Sequence, residues 1–204
     1  MVLVVFCSIV IAGPVTDTGQ TTCYDADGNV ITCPNAGAAF YGQDANYSIN
    51  PPSYTKLEGG LIVRDDVTGL IWEVKQNKDG TKNYTNPHDA DNTYTWYDPN
   101  PATNGGNVGT PGDGTDTDDF INALNKANFG GYSEWRMPER EELRSICNYG
   151  NAGPAINSFY FPNTSLSTLY WTSTVFATDA IGCWAIHFRS GVGTFFTKKN
   201  DYHV

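Results

Sequence analysis

Cys183-Trp184-Ala185-Ile186-His187-Phe188-Arg189, then Ser190-Gly191, then Thr194-Phe195-Phe196-Thr197-Lys198, is the stretch that decides the fold. Trp184, Ile186 and Phe188 alternate with Ala185, His187 and Arg189, the period of two that marks a strand with one face toward a core. Ser190-Gly191 supplies the hairpin turn. With Tyr170-Trp171-Thr172-Ser173 just upstream, this predicts a late antiparallel sheet.

Working toward the N-terminus, the period changes. A helix is predicted to start after Met137, with Pro138 in its first turn and Glu139, Glu141 and Glu142 at its positive end. Leu143, Ile146 and Cys147 face inward, and Gly150 is the stop. A first helix is predicted over 117–128, with Phe120, Leu124 and Ala127 as its stripe, Asp118 and Asp119 at its start and Gly130-Gly131 ending it. Further back, Leu61–Asp65 and Leu70–Val74 read as a hairpin around Thr68-Gly69. Strands, two helices and then an antiparallel sheet give the α+β class.

Between hairpin and helices lies a polar stretch, residues 76–116, with Trp96 and Tyr97 as its main large aromatics. Long ordered loops of this kind carry function. Residues 14–60 are rich in Gly, Asn, Pro, Asp and Thr and read as a lead-in that packs on or tethers the domain of residues 61–204. Residues 1–13 hold the apolar run Val2–Ala12, which has the length of a signal-peptide core and is short for a membrane span. Cleavage after Ala12 suits its small and β-branched residues, although a basic leader region is missing. The alternative is a buried N-terminal strand. Phe6 before Cys7 argues against a lipid anchor.

Composition agrees with export. The 204 residues are 17% charged and 13% aromatic, with 21 Gly and 11 Pro, as in a loop-rich extracellular fold rather than a bundle or disordered chain. A net charge of -10 argues against nucleic acid, whose phosphates must be neutralised by Lys and Arg. Without the leader, four cysteines remain: Cys23, Cys33, Cys147 and Cys183. Their spacing is not that of a zinc site. A turn at Asp27-Gly28-Asn29 would set Cys23 and Cys33 opposite each other, a closure worth about 3 kcal/mol in the chain-entropy view. Elimination then pairs Cys147 with Cys183, and two other connectivities remain open.

Thr68-Gly69-Leu70-Ile71-Trp72-Glu73, Gly130-Gly131-Tyr132-Ser133-Glu134-Trp135-Arg136-Met137-Pro138, Glu142-Leu143 and Tyr170-Trp171-Thr172-Ser173-Thr174 together resemble the Lcl C-terminal domain family over residues 61–204. This is a bacterial domain of largely unknown function, named after a Legionella collagen-like adhesin, and Thr18-Gly19-Gln20-Thr21 is similar to lead-ins found before it in exported proteins. The resemblance implies a C-type-lectin-like or sulfatase-modifying-factor-like fold: a twisted antiparallel sheet with two helices and long loops forming a binding face. As a class of function it implies adhesion, the named member binding a sulfated polysaccharide. Three departures stand out. Glu139 replaces the usual Thr before the second helix, a lost cap worth about 1 kcal/mol. Cys147 and Cys183 stand where the family has apolar residues. The family pattern runs on into a Val-Arg-Cys-Val-Arg-like last strand, whereas this chain stops at Val204, which puts the sheet edge in doubt.

The chemistry expected is binding rather than catalysis. His88, His187 and His203 accompany no nucleophile signature, and the cysteines read as structural. No cofactor is expected unless calcium: Asp113, Asp116 and Asp118 space oxygen donors before a helix, against the plainer reading of a solvated turn with capping acids. Trp96 and Tyr97, with the basic residues Arg189, Lys198 and Lys199, are the candidate ligand contacts, since aromatic faces serve sugars and protein hot spots alike. Trp72, Trp135, Trp171 and Trp184 read as core. The expectation is a secreted or cell-surface, non-catalytic module for carbohydrate or another surface polymer or protein, and not an integral membrane protein once processed. A structural subunit of a self-assembling extracellular filament is the alternative.

Overall fold

Asp65 turns the chain between the first two strands of the family-like region. Its Oδ1 accepts the N–H of Val67 and its Oδ2 the hydroxyl of Thr68 at 2.8 Å, so the turn is held by one carboxylate. The computed structural model describes residues 3–4, 14–151 and 153–204. In chain order its strands and helices are β1 (Leu3–Val4), β2 (Cys23–Tyr24), β3 (Val30–Ile31), β4 (Tyr54–Leu57), β5 (Ile62–Asp65), β6 (Ile71–Glu73), β7 (Tyr94–Thr95), α1 (Thr117–Lys126), β8 (Trp135–Arg136), α2 (Arg140–Ser145), β9 (Tyr170–Val175), β10 (Gly182–His187), β11 (Val192–Thr197) and β12 (Asp201–Tyr202). Apart from the backbone of Leu3–Val4, the reading of residues 1–13 as a leader lies outside the described residues.

The α+β class holds. A five-stranded antiparallel sheet runs β4-β5-β6-β1-β8, and a three-stranded one runs β11-β10-β9. Strands β5, β6, β9 and β10 are largely covered on both faces, whereas β4 and β11 at the edges are partly open. Val63, Trp72, Tyr170 and Ile186 join one core with Leu143, Ile146 and Phe161, while their neighbours Ile62, Ile71, Trp171 and Ala185 join a second core with Phe120, Leu124 and Trp135. Successive strand residues point to opposite faces, so the strands read as apolar runs. This corrects the alternation read for β10: Ala185 is not outward but buried in the second core, and Trp184 lies at the rim, half-buried.

Two expectations change for the cysteines. Cys23 and Cys33 are bonded, with Cα atoms 5.1 Å apart. The register pairs Cys23 with Ile31, because the turn takes five residues, Asp25 accepting the N–H groups of Asp27 and Asn29. Cys33 therefore reaches back from beyond the strand. Cys147 and Cys183 are both buried and free, against the expected bridge. They belong to different cores on opposite faces of the β9–β11 sheet, and a disulfide needs its two Cβ atoms about 4 Å apart. Burial pushes each thiol up to about 12, which makes them poor nucleophiles.

The start of α2 is not left uncapped by Glu139. The Glu142 carboxylate reaches back to accept the Glu139 N–H at 2.7 Å and clasps Arg136 through two bonds of 2.9 and 2.6 Å. Thr174 takes the N–H of Arg140. The start of α2 is thus held by a capping box between Glu139 and Glu142 and by Thr174 of β9. The lead-in is part of the fold rather than a tether: β4 pairs with β5, Tyr54 enters the core, and Thr18 C=O accepts from Tyr149 N–H at 2.8 Å.

The long polar loop orders itself. Asp79, Asn83, Asn86, Asp89, Asp98, Asn104, Asn107 and Asp113 each accept the backbone N–H two residues on, a run of Asx turns that satisfies backbone without regular structure. Its β7 pairs with β12, and His203 donates from Nδ1 to the Asn92 carbonyl at 2.7 Å.

Two predictions follow from this packing. Native protein at pH 7.5 should leave Cys147 and Cys183 unlabelled by iodoacetamide, and denatured, unreduced protein should expose both while Cys23 and Cys33 stay blocked. Burial holds His203 neutral, its pKa lowered to about 4, so the unfolded chain binds the extra proton between pH 4 and 6.5. Stability is therefore full above pH 6.5 and falls by about 3 kcal/mol toward pH 4, a slope that denaturant titration of His203→Gln should show flattened.

Candidate functional site

The sequence-predicted contacts come apart in three dimensions. Trp96 donates from Nε1 to the Thr172 carbonyl at 2.9 Å, and the Lys198 ammonium sits 4.7 Å from its ring centroid. Lys198 is buried and paired with Asp98 at 2.6 Å. Asp98 also accepts from Thr103 and from the Asn100 N–H. Burial alone would raise its pKa, but Lys198 and these donors hold it below the usual carboxylate range. These residues latch the long loop onto the end of β11, so Lys198 is an internal counter-ion. Tyr97 anchors beside α1, its N–H donating to Thr117 Oγ1.

Arg189 and Lys199 are exposed but do not cluster. His187 pairs with Val192 at one end of the β10–β11 hairpin and Gly182 with Thr197 at the other, a separation of roughly 17 Å at strand rise. Arg189 instead lines a shallow cleft of about 430 Å³ with Lys78, Gly153, Ser165, Leu166 and Ser167. The basic cluster read from sequence is therefore two separate charges.

The acidic run serves its own backbone. Asp113 accepts from Thr115, Asp116 caps α1 by accepting from the Asp118 and Asp119 N–H groups at 3.0 Å each, and Asp118 accepts from Asn122. Among the described residues no three His, Cys, Asp or Glu side chains are grouped to hold a metal. His88 is likewise engaged, 2.7 Å from Glu73 and stacked on Phe129. Glu73 also pairs with buried Lys75 at 2.9 Å, and although burial opposes it, Lys75 and His88 hold its carboxyl down at about 2.

What the structure adds is an aromatic ledge at the rim of the β9–β11 sheet. Trp184 and Phe195 are directly paired across β10 and β11. Phe195 stacks on Phe176 with centroids 3.7 Å apart and planes 5° from parallel, and Trp184 meets both rings edge-on at 5.9 and 5.7 Å. Arg140, at the start of α2, lays its guanidinium 4.6 Å from the Trp184 ring centroid. Phe195 is 43% and Val192 56% exposed. Beside them runs a cleft of about 360 Å³ lined by Arg140, Arg144, Tyr149, Trp184, Gly191 and Val192. Its floor is fixed by Gly191, whose φ of +73° and contact with the Tyr149 ring leave no room for a side chain, while Tyr149 OH donates to the Gly191 carbonyl.

The signal for the ledge was Phe195-Phe196. Adjacent strand residues cannot share a face, and Phe196 takes the second core, which leaves Phe195 outside. The ledge presents flat apolar faces beside cationic groups, chemistry suited to holding a ligand.

A stability test separates latch from ligand contact. Lys198→Met should cost about 3 kcal/mol by leaving Asp98 unpaired, read by denaturant unfolding. Lys199→Met should change stability by less than about 0.5 kcal/mol.

No curated protein and no solved structure matches the chain. The family model for the Lcl C-terminal domain matches residues 61–204, from β5 through both cores and the ledge. The chain belongs to the Lcl C-terminal domain family.

Proposed function

We propose that this protein is an exported, non-catalytic binding module of the bacterial cell surface or surroundings, with carbohydrate or another surface polymer as its ligand. The observation that carries the reading is the ledge: three aromatic rings held in mutual contact, with Phe195 exposed and an arginine alongside. A sugar ring or a polymer segment can lie on such faces without any of them having to rearrange. That keeps the entropy cost of binding low.

Support for export comes from the Cys23–Cys33 bond, since disulfides persist in oxidising compartments. No helix among the described residues is long and apolar enough to cross a membrane. The excess of acidic residues fits a ligand held by aromatic stacking more than by bulk charge.

A glycan array of neutral and sulfated polymers, run with and without a calcium chelator, tests the reading. The expected result is binding to at least one glycan class, unchanged by chelator and weakened about tenfold or more by Trp184→Ala or Phe195→Ala. Binding to no glycan above background removes carbohydrate as the ligand.

A further inference from the structure

The five-stranded sheet is continuous only because of two residues from the N-terminal apolar run. β1 lies between β6 and β8, antiparallel to both: Val4 pairs with Ile71 and Trp135, and Leu3 with Trp72 and Arg136. Without it, β6 and β8 would stand about 9.6 Å apart, twice the normal strand spacing. Among the described residues neither of these two edges has another strand partner.

The backbone of each flanking strand shows which groups face the gap. On β6, Leu70 C=O accepts from Asp65 N–H at 2.8 Å and Val74 N–H donates to Leu61 C=O at 2.9 Å, so the even-numbered residues spend their groups on β5. In an antiparallel ladder the alternate residues then turn theirs to the other side, which places the N–H and C=O of Ile71 and Glu73 in the gap. On β8, Trp135 gives both its groups to one side chain: its N–H donates to Asn125 Oδ1 at 2.6 Å and its C=O accepts from Asn125 Nδ2 at 2.9 Å. Asn125 of α1 thus takes the place of a strand on that edge, and the groups of Arg136 are left to face β6. Ile71, Trp72 and Trp135 are almost wholly buried, and backbone polar groups at such a depth need partners.

We propose that the gap between β6 and β8 is a strand-acceptor site for an extended apolar segment of a second polypeptide. The chain's own residues 3–4 occupy it until the N-terminal run is removed. The proposal rests on the reading of the chain as processed on export. The occupant's chemistry is read from the two residues seated there, Leu3 and Val4, which run extended and antiparallel to both neighbours. Backbone pairing on two sides gives affinity, and the apolar composition suits the buried flanks. An edge left empty would be open to unspecific strand pairing.

The test uses the full chain carrying a protease site between Gly13 and Pro14, folded first and cut afterwards. The probe is a fluorescent synthetic peptide of residues 1–13. Cut protein should take up the peptide saturably, uncut protein should take up none, and a peptide with Leu3→Pro and Val4→Pro should bind about tenfold more weakly or worse, proline lacking the donor and the freedom a strand needs. Failure of uptake by the cut protein, equal uptake by the uncut protein, or equal uptake of the proline peptide overturns the proposal. Hydrogen exchange provides a second reading. The amides of Ile71 and Arg136 should lose protection when the cut segment is washed out and regain it with peptide, and undiminished protection in the strand-free protein also overturns it. Glycan binding measured on the same samples separates the two readings, because peptide failure with glycan binding intact sinks the acceptor site alone.

Discussion

Burial of the strands on both faces is the constraint from which the rest of this molecule follows. Ile62 and Val63, Ile71 and Trp72, and Tyr170 and Trp171 are neighbours in sequence that enter opposite cores. A strand used this way has no solvent face to spare. Helix α2 must cover one side through Leu143 and Ile146, and α1 the other through Phe120 and Leu124. Among the described residues, turns, rims, the long loop and most of the lead-in are left to meet solvent.

That division explains where polar chemistry goes. The loop of residues 76–116 carries few apolar residues, and it orders itself through Asx turns and two latches, Trp96–Lys198–Asp98 and His203–Asn92. Its charges are consumed in holding its own shape. The surface with rings and cations to spare lies instead at the start of α2, where Arg140 reaches the Trp184 ring and the aromatic pair across β10 and β11 is left at the rim.

Much of the fold was legible. The two hairpins, the existence of both helices and the cysteine bridge of the lead-in follow periodicity, turn residues and caps, because each is set by local chemistry. Helix α2 is shorter than the sequence predicts: it begins at Arg140, after Pro138, and ends at Ser145, before Gly150. Helix α1 ends at Lys126, with Ala127 exposed. The site was less legible, for physical reasons. Lys198 is one of two adjacent lysines and nothing local says which is buried; the partner that decides it, Asp98, is 100 residues away. Cys147 and Cys183 looked like a pair by count, but sequence does not tell which face of a doubly covered sheet a cysteine occupies. Trp184 looked like core because its neighbours at two-residue spacing, Ile186 and Phe188, are core. Whether Trp184 is covered depends on how α2 is placed over the sheet, a tertiary fact. β1 was foreseen only as the alternative to a leader, since an apolar run serves either role.

The most direct measurement is indole N–H hydrogen exchange, resolved by NMR for the five tryptophans. Trp72, Trp135 and Trp171 lie in the two cores and Trp96 is hydrogen-bonded to Thr172, so these four should exchange slowly and Trp184 fast. Exchange at Trp72, Trp135 or Trp171 as rapid as at Trp184 would contradict the doubly covered sheets on which this account stands.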